Sequence, residues 1–222
     1  REKAPRGAFE KMYLDSLGNV SDNSVDGHLS VGVPGTVAGL VKALEDYGTM
    51  KLEDILQPAI DYAEQGFVVD YRLAESFEDY KDDLLKFPST LKTFTREGNV
   101  YAEGDTLRQP ELASTLRRIQ QKGEEGFYEG ETARLIVEEM QRGGGILTLD
   151  DLKDYSAEQR DVLKFAYRGY EVLSMPPPSS GGLCLAELLN LVEGYDLKSM
   201  GFHSSQSVHV MTEAMKRVYA DR

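Results

Sequence analysis

The β-forming residues of this chain are gathered in one place. Val162 to Tyr167 and Tyr170 to Met175 are runs of β-branched and aromatic residues separated by Arg168-Gly169, which is the pattern of two antiparallel strands joined by a two-residue turn. Elsewhere apolar residues recur three and four apart, so the chain is predicted to be α+β and helix-rich, with one secure hairpin.

Val37, Leu40, Val41 and Leu44 mark one amphipathic helix; Leu52, Ile55 and Leu56 mark a second; Ala59, Ile60 and Ala63 mark a third, with Pro58 in its first turn. Leu73, Phe77, Tyr80 and Leu84 predict another. Leu112, Leu116 and Ile119 predict a helix ending at Gly123, and Ala133, Ile136, Val137 and Met140 one stopped by Gly143-Gly144-Gly145. Thr148 and Asp151 form a capping pair for a short helix. After the hairpin, Pro176-Pro177-Pro178 predicts extended backbone, and Ser179-Ser180-Gly181-Gly182 opens an apolar helix through Leu185, Leu188, Leu189 and Val192. A last helix carries Val208, Met211, Thr212, Met215, Val218 and Tyr219, with Ser204 or Ser205 as its N-cap. The organisation expected is one body, with a helical layer over about residues 36–160, the hairpin over about 161–175 and helices over about 180–222. Residue 1 is not Met and Arg222 falls inside a helical pattern, so both ends read as cut.

Composition limits the function. The 222 residues carry 38 acidic and 25 basic side chains, a net charge of −13, and 41% are hydrophobic. Such a chain can bury a core but repels polyanions, so nucleic-acid binding is excluded as a main role. No apolar run approaches the roughly 18 residues that a membrane helix needs, and no targeting segment opens the chain. Cys184 is the only cysteine, which rules out an internal disulfide and a cysteine-based metal knuckle.

The usual marks of chemistry are thin. His28, His203 and His209 are too scattered for a helical zinc pair, and His209 with Glu213 makes only two ligands, so no metal is expected. No Gly-x-Ser-x-Gly elbow occurs, and Cys184 sits on an apolar helix, where packing explains it. Gly32-Val33-Pro34-Gly35-Thr36-Val37-Ala38-Gly39 and Ser179-Ser180-Gly181-Gly182 could each aim backbone N–H groups at an anion. The first lacks the Lys-Ser/Thr ending of a phosphate loop and the spacing of a dinucleotide turn, so tight turns that let helices pack closely are the simpler account. Carboxylate pairs such as Glu124-Glu125 and Glu138-Glu139 are ordinary on solvated helix faces.

Read together, certain strings say more: Arg1-Glu2-Lys3-Ala4-Pro5; Gly32 to Gly39; Tyr47-Gly48-Thr49-Met50 running on to Gln57-Pro58-Ala59; Gly66-Phe67; Tyr167-Arg168-Gly169-Tyr170; Met175-Pro176-Pro177-Pro178-Ser179-Ser180-Gly181-Gly182; and Tyr219-Ala220-Asp221-Arg222. In this order they closely resemble the large subunit of the γ-glutamyltranspeptidases, over essentially the whole chain. The resemblance implies a fold, part of the large subunit of a four-layer αββα sandwich of the N-terminal-nucleophile hydrolases. It also implies a chemistry. A precursor cuts itself, the new N-terminal threonine of the small subunit attacks the γ-glutamyl amide of glutathione or a similar donor with its own α-amine as base, and the γ-glutamyl group passes to water or to an amino acid or peptide acceptor.

None of that catalytic half is in this sequence, where position 1 is Arg, so the chain alone is expected to be inactive. Its implied partners are the small-subunit portion of the same precursor and the γ-glutamyl donor, with no cofactor, and with self-association through exposed edges an added expectation. One family residue maps: the arginine that grips the donor α-carboxylate is Arg1. A guanidinium suits that task because it offers a carboxylate two parallel hydrogen bonds. Ser179 and Ser180 resemble family positions too and read as cap and turn residues. The resemblance implies a periplasmic or extracellular parent. Two alternatives stand beside it: the acylase branch that removes glutaryl side chains from β-lactams, whose donors lack the α-amino-acid head, so that the intact Arg1–Pro5 string leans toward γ-glutamyl substrates; and a non-catalytic binding or scaffold module.

Overall fold

The computed structural model describes residues 2–222. It is helix-rich α+β, and it divides into two compact units, the first running to Ala157 and the second from Glu158 to Arg222.

In the first unit, short 3-10 turns at Asp22–Ser24 and His28–Ser30 lead to α1 (Thr36–Tyr47) and α2 (Leu52–Gln65). Then come β1 (Phe67–Val68), α3 (Tyr71–Asp79), α4 (Lys81–Leu84), α5 (Pro88–Phe94), β2 (Thr95–Arg96), β3 (Asn99–Val100) and β4 (Thr106–Leu107). The unit closes with α6 (Pro110–Lys122), α7 (Glu125–Tyr128), α8 (Gly130–Arg142) and α9 (Leu149–Lys153). The strands are two-residue antiparallel pairs, β1 with β4 and β2 with β3.

Three apolar clusters hold this unit. Val33, Ala38, Tyr128, Val137, Leu147 and Leu152 belong to the first. Ile60 and Ala63 of α2 meet Ala113 of α6 in the second, and Val69, Phe77 and Leu107 form the third. The helix stops follow local rules: α6 ends at Gly123 with φ 60°, where a side chain would be strained, and α8 ends at Gly143.

Two expectations fail here. Pro58 does not begin a new helix but lies inside the continuous α2. Its missing N–H removes the bond that would go to the Asp54 carbonyl, on an exposed face, while Leu56, Ile60 and Ala63 pack with Ala113 and Leu116. Burial along one face therefore carries the helix through the proline. The stretch from Leu73 to Leu84 is not one helix either; it breaks at Tyr80 (φ −103°, ψ 17°). The break leaves Tyr80 exposed, its hydroxyl in reach of water, while Leu73 and Leu84 both still pack on the cluster of Val69, Phe77 and Leu107.

The second unit holds β5 (Leu163–Tyr167), β6 (Tyr170–Ser174), α10 (Ser180–Glu193), α11 (Leu197–Met200) and α12 (Ser205–Asp221). The predicted hairpin forms in the register Leu163↔Ser174, Phe165↔Val172 and Tyr167↔Tyr170. Arg168 and Gly169 take φ 47° and 84°, the geometry of a turn whose twist matches the strands. The Arg168 guanidinium donates to the Tyr195 carbonyl at 2.6 Å, which helps hold a non-glycine residue in that region. Ser179 caps α10 through Gly181 N–H, and Ser204 caps α12 through Ser207 N–H, as the sequence predicts.

The prolines depart from prediction. Pro176 to Ser179 form a turn closed by Ser179 N–H to the Pro176 carbonyl at 3.2 Å, with a cis Pro177–Pro178 peptide, in place of extended backbone. The chain reverses there because α10 packs back against the hairpin. At Gly182 a Cβ would come within 2.2 Å of the Met175 carbonyl and 3.1 Å of Leu163.

Candidate functional site

Arg1, the substrate-contacting residue that the sequence nominates, lies outside the described residues. The chain that leads to it is fastened at three points. Lys3 and Val33 exchange backbone hydrogen bonds as an antiparallel bridge, Lys3 N–H to Val33 carbonyl at 3.1 Å and Val33 N–H to Lys3 carbonyl at 2.7 Å. Pro5 is buried. Arg6 donates its backbone N–H to Asp151 Oδ1 at 2.9 Å, and its guanidinium pairs with Asp154. Two strings that stand 30 residues apart in sequence, at Lys3 and Val33, thus share one ladder. Gly32 belongs to this arrangement, since a Cβ there would stand 3.2 Å from Glu2 Cβ.

Asp151 does two tasks with one carboxylate. It completes the predicted capping box on α9, accepting from Thr148 N–H at 2.9 Å while Thr148 Oγ1 accepts from Asp151 N–H at 3.2 Å. Its other oxygen takes the Arg6 N–H. Burial works against ionisation, yet the hydrogen bonds from Thr148 and from the Arg6 backbone outweigh it and hold the carboxyl below its ordinary 3.8. Asp151 is therefore a buried anion that anchors the N-terminal segment, a tertiary role that its capping position does not reveal.

The turn on the other side of the Lys3 bridge is held from α7. The N-cap of α1 is Gly35, which has no side chain to satisfy the first-turn N–H groups. Tyr128 supplies what is missing: its hydroxyl accepts from Ala38 N–H at 3.3 Å and donates to the Pro34 carbonyl at 2.8 Å. Burial pushes this phenol above its ordinary 10, which keeps the donating proton in place. Tyr155 stacks on its ring at 5.4 Å with an interplanar angle of 7°. The α1 N-terminus thus spends the Ala38 N–H inside the protein, in keeping with a turn built for close packing.

The glycine triplet also does more than stop a helix. A Cβ at Gly143 would fall 2.0 Å from His28 Nδ1, and one at Gly145 2.8 Å from the His28 carbonyl. The triplet is cut away for His28, whose Nε2 stands 3.0 Å from Glu139 Oε1. Among the described residues no three His, Cys, Asp or Glu side chains converge as a metal site requires, and no helix is long and apolar enough to cross a membrane. In the second unit Cys184 lines a cleft of about 330 Å³ with Leu188, Met215 and Tyr219.

The family model described as Gamma-glutamyltranspeptidase matches residues 1–222. The chain belongs to the γ-glutamyltranspeptidase family. Within that family it is 44% identical over its whole length to the glutathione hydrolase proenzyme of Escherichia coli. It is 38% identical, over 99% of its length, to the acylase ACY 1 proenzyme of Pseudomonas sp. strain V22. The crystal structure of Helicobacter pylori gamma-glutamyltranspeptidase superimposes with a TM-score of 0.97 and 44% identity, covering all of this chain and 64% of that one. The chain spans 39% of the Escherichia coli relative and 40% of the acylase.

Proposed function

We propose that this chain is large-subunit sequence of a γ-glutamyltransferase that takes the γ-glutamyl group from glutathione-like donors. The observation that carries the reading is the match over residues 1–222 to a family whose relatives are named glutathione hydrolase proenzymes. The nucleophile is a threonine released by self-cleavage in a small-subunit portion of the same precursor; it displaces the donor amine, and water or an amino acid then takes the γ-glutamyl group from the threonine oxygen. The two subunits build the four-layer sandwich together, and the parent works in the periplasm or outside the cell. Arg1 grips the donor α-carboxylate and so sets how far the glutamyl chain reaches toward the nucleophile.

The acylase branch is the second reading, supported by the 38% identity to a named acylase. Arg1 cannot separate the two. A glutaryl group keeps the terminal carboxylate and lacks only the α-amine, so one guanidinium suits either donor, and the lean toward γ-glutamyl substrates drawn from the intact string carries no weight. A direct assay separates them. The full-length precursor, matured, is given γ-glutamyl anilide and glutaryl anilide side by side, and faster turnover of the γ-glutamyl donor is expected; preference for glutaryl anilide would move the assignment to the acylase branch. The present chain alone should release no anilide above a blank.

Replacing Arg1 by Lys in that precursor should lower kcat/KM by about 30- to 1,000-fold, equivalent to about 2–4 kcal/mol for a lost bidentate pair. Self-cleavage uses no donor carboxylate and should be unchanged on a gel. Normal maturation with kinetics within about twofold of the parent would remove Arg1 from the site.

A further inference from the structure

We propose that Tyr128 is a positioning residue for the donor-carboxylate clamp. The inference rests on the reading of Arg1 above and adds a residue that lies far from it in sequence. Its basis is a chain of described contacts. The Tyr128 hydroxyl bonds both sides of the α1 entry, at the Pro34 carbonyl and the Ala38 N–H. Val33, the residue before Pro34, is the one that exchanges two backbone hydrogen bonds with Lys3. Lys3 is two residues from Arg1, so a displacement of Val33 reaches the clamp across a span of no more than about 7 Å of chain.

The contacts also explain why a tyrosine is needed there. Gly35 offers no cap, Ala38 is fully buried, and the Pro34 carbonyl needs a donor that the turn itself does not supply. A single hydroxyl meets both needs because it donates and accepts at once. Burial keeps it protonated, and the Tyr155 stack limits where its ring can go. A phenylalanine would fill the same space and leave both backbone groups unserved, so the entry turn would relax while the core stayed filled.

Three features make the role one of placement rather than of general stability. The bridge at Lys3 is backbone-only, so it transmits the position of Val33 without regard to the Lys3 side chain. The opposite end of the segment is fixed independently, at Asp151. Loss of the Tyr128 hydroxyl therefore loosens the turn that carries Val33, and with it the bridged Lys3, while the far end stays tied. Both anchors hold the segment by its backbone, at Lys3 and at the Arg6 N–H.

The test uses the full-length matured enzyme and γ-glutamyl anilide. In Tyr128→Phe the KM for the donor should rise about 5- to 30-fold while kcat stays within about threefold, and competitive inhibition by L-glutamate should weaken in proportion to the KM. A residue that served only to hold the fold would lower the active fraction, reducing apparent kcat at constant KM. That result, or an unchanged KM, overturns the proposal. If Tyr128→Phe fails to mature, Lys3→Pro decides the matter: it removes the N–H that Lys3 gives to the Val33 carbonyl, and Lys3→Ala, which keeps that N–H and should keep parental kinetics, controls for the loss of the side chain. Lys3→Pro should reproduce the rise in KM, and parental kinetics in it would overturn the proposal. Arg1→Lys is run in parallel. A raised KM there with an unaffected Tyr128→Phe withdraws the positioning role alone, whereas parental kinetics in Arg1→Lys withdraw the clamp and with it this inference.

Discussion

The two units of this chain spend their apolar residues differently. All but three of the buried apolar side chains described lie in the first unit; the second contributes only Val192, Ala214 and Val218. The hairpin of the second unit has no fully buried side chain, and Leu173 and Met175 stand exposed. Its α10 gathers Glu187, Asn190 and Glu193 on one side, yet Leu183, Leu185 and Leu191 are all at least a third exposed. Leucines exposed in that number are surface that further protein ordinarily covers. The first unit closes its own clusters and ties its own turns, whereas the second presents surfaces that suit coverage by further protein, and the relatives are more than twice as long as this chain.

The contrast can be broken most directly in the cores. Leu152 is fully buried in the first cluster, so Leu152→Ala should cost about 2–5 kcal/mol by denaturant unfolding. Leu185→Ala, 37% exposed on α10, should cost about 1 kcal/mol or less in this chain. Equal costs would mean that the second unit is as well sealed as the first.

A smaller effect is expected where a cap closes the first unit. Thr148→Ala removes the side chain that accepts from Asp151 N–H, and the loss should be about 0.5–2 kcal/mol, read by the same method. No change would mean that Asp151 and the Arg6 tie alone hold α9.

Asp151 gives a test confined to acid. Its folded carboxyl lies below the ordinary 3.8, so it contributes stability that is fully present above that value and is lost as the pH falls through the lowered folded value. The chain should therefore lose stability below about pH 4 in part through this group, and Asp151→Asn, less stable at neutral pH, should converge on the parent there. A constant gap between the two from pH 7 to pH 3 would show that the Asp151 charge plays no part in tying Arg6 and Thr148.

The smallest effect on folding, with a clear effect on association, is expected on α10. Leu183→Lys should change stability by no more than about 0.5 kcal/mol, because the residue is half exposed, while raising the monomer fraction in size-exclusion chromatography. An unchanged elution profile would mean that this face is not sticky.

Much of the fold was legible in the sequence wherever the deciding interactions are local. Gly123 at the end of α6, the glycines after α8, the Thr148–Asp151 box, the Arg168-Gly169 turn and the Ser179 and Ser204 caps all act within a few residues of themselves, so spacing alone reveals them. The same reasoning misjudged Pro58, Tyr80 and the three prolines. At the prolines a strong local preference was overruled by packing around the residue: α2 runs through Pro58 because its opposite face is buried on α6, and the three prolines turn because α10 folds back on the hairpin; at Tyr80 the predicted helix instead breaks and leaves the ring exposed.

The candidate site divides the same way. The strings from Arg1 to Pro5 and from Gly32 to Gly39 stand out in the sequence, and their order is enough to mark the family. That Lys3 ladders with Val33, that Arg6 is held by Asp151 145 residues away, and that α1 is capped from Tyr128 90 residues downstream are decisions of the tertiary structure. Periodicity reports which face of an element is apolar and capping motifs report which local N–H is served. A backbone group such as Ala38 N–H carries no side-chain signature, so only the folded chain determines which distant hydroxyl satisfies it.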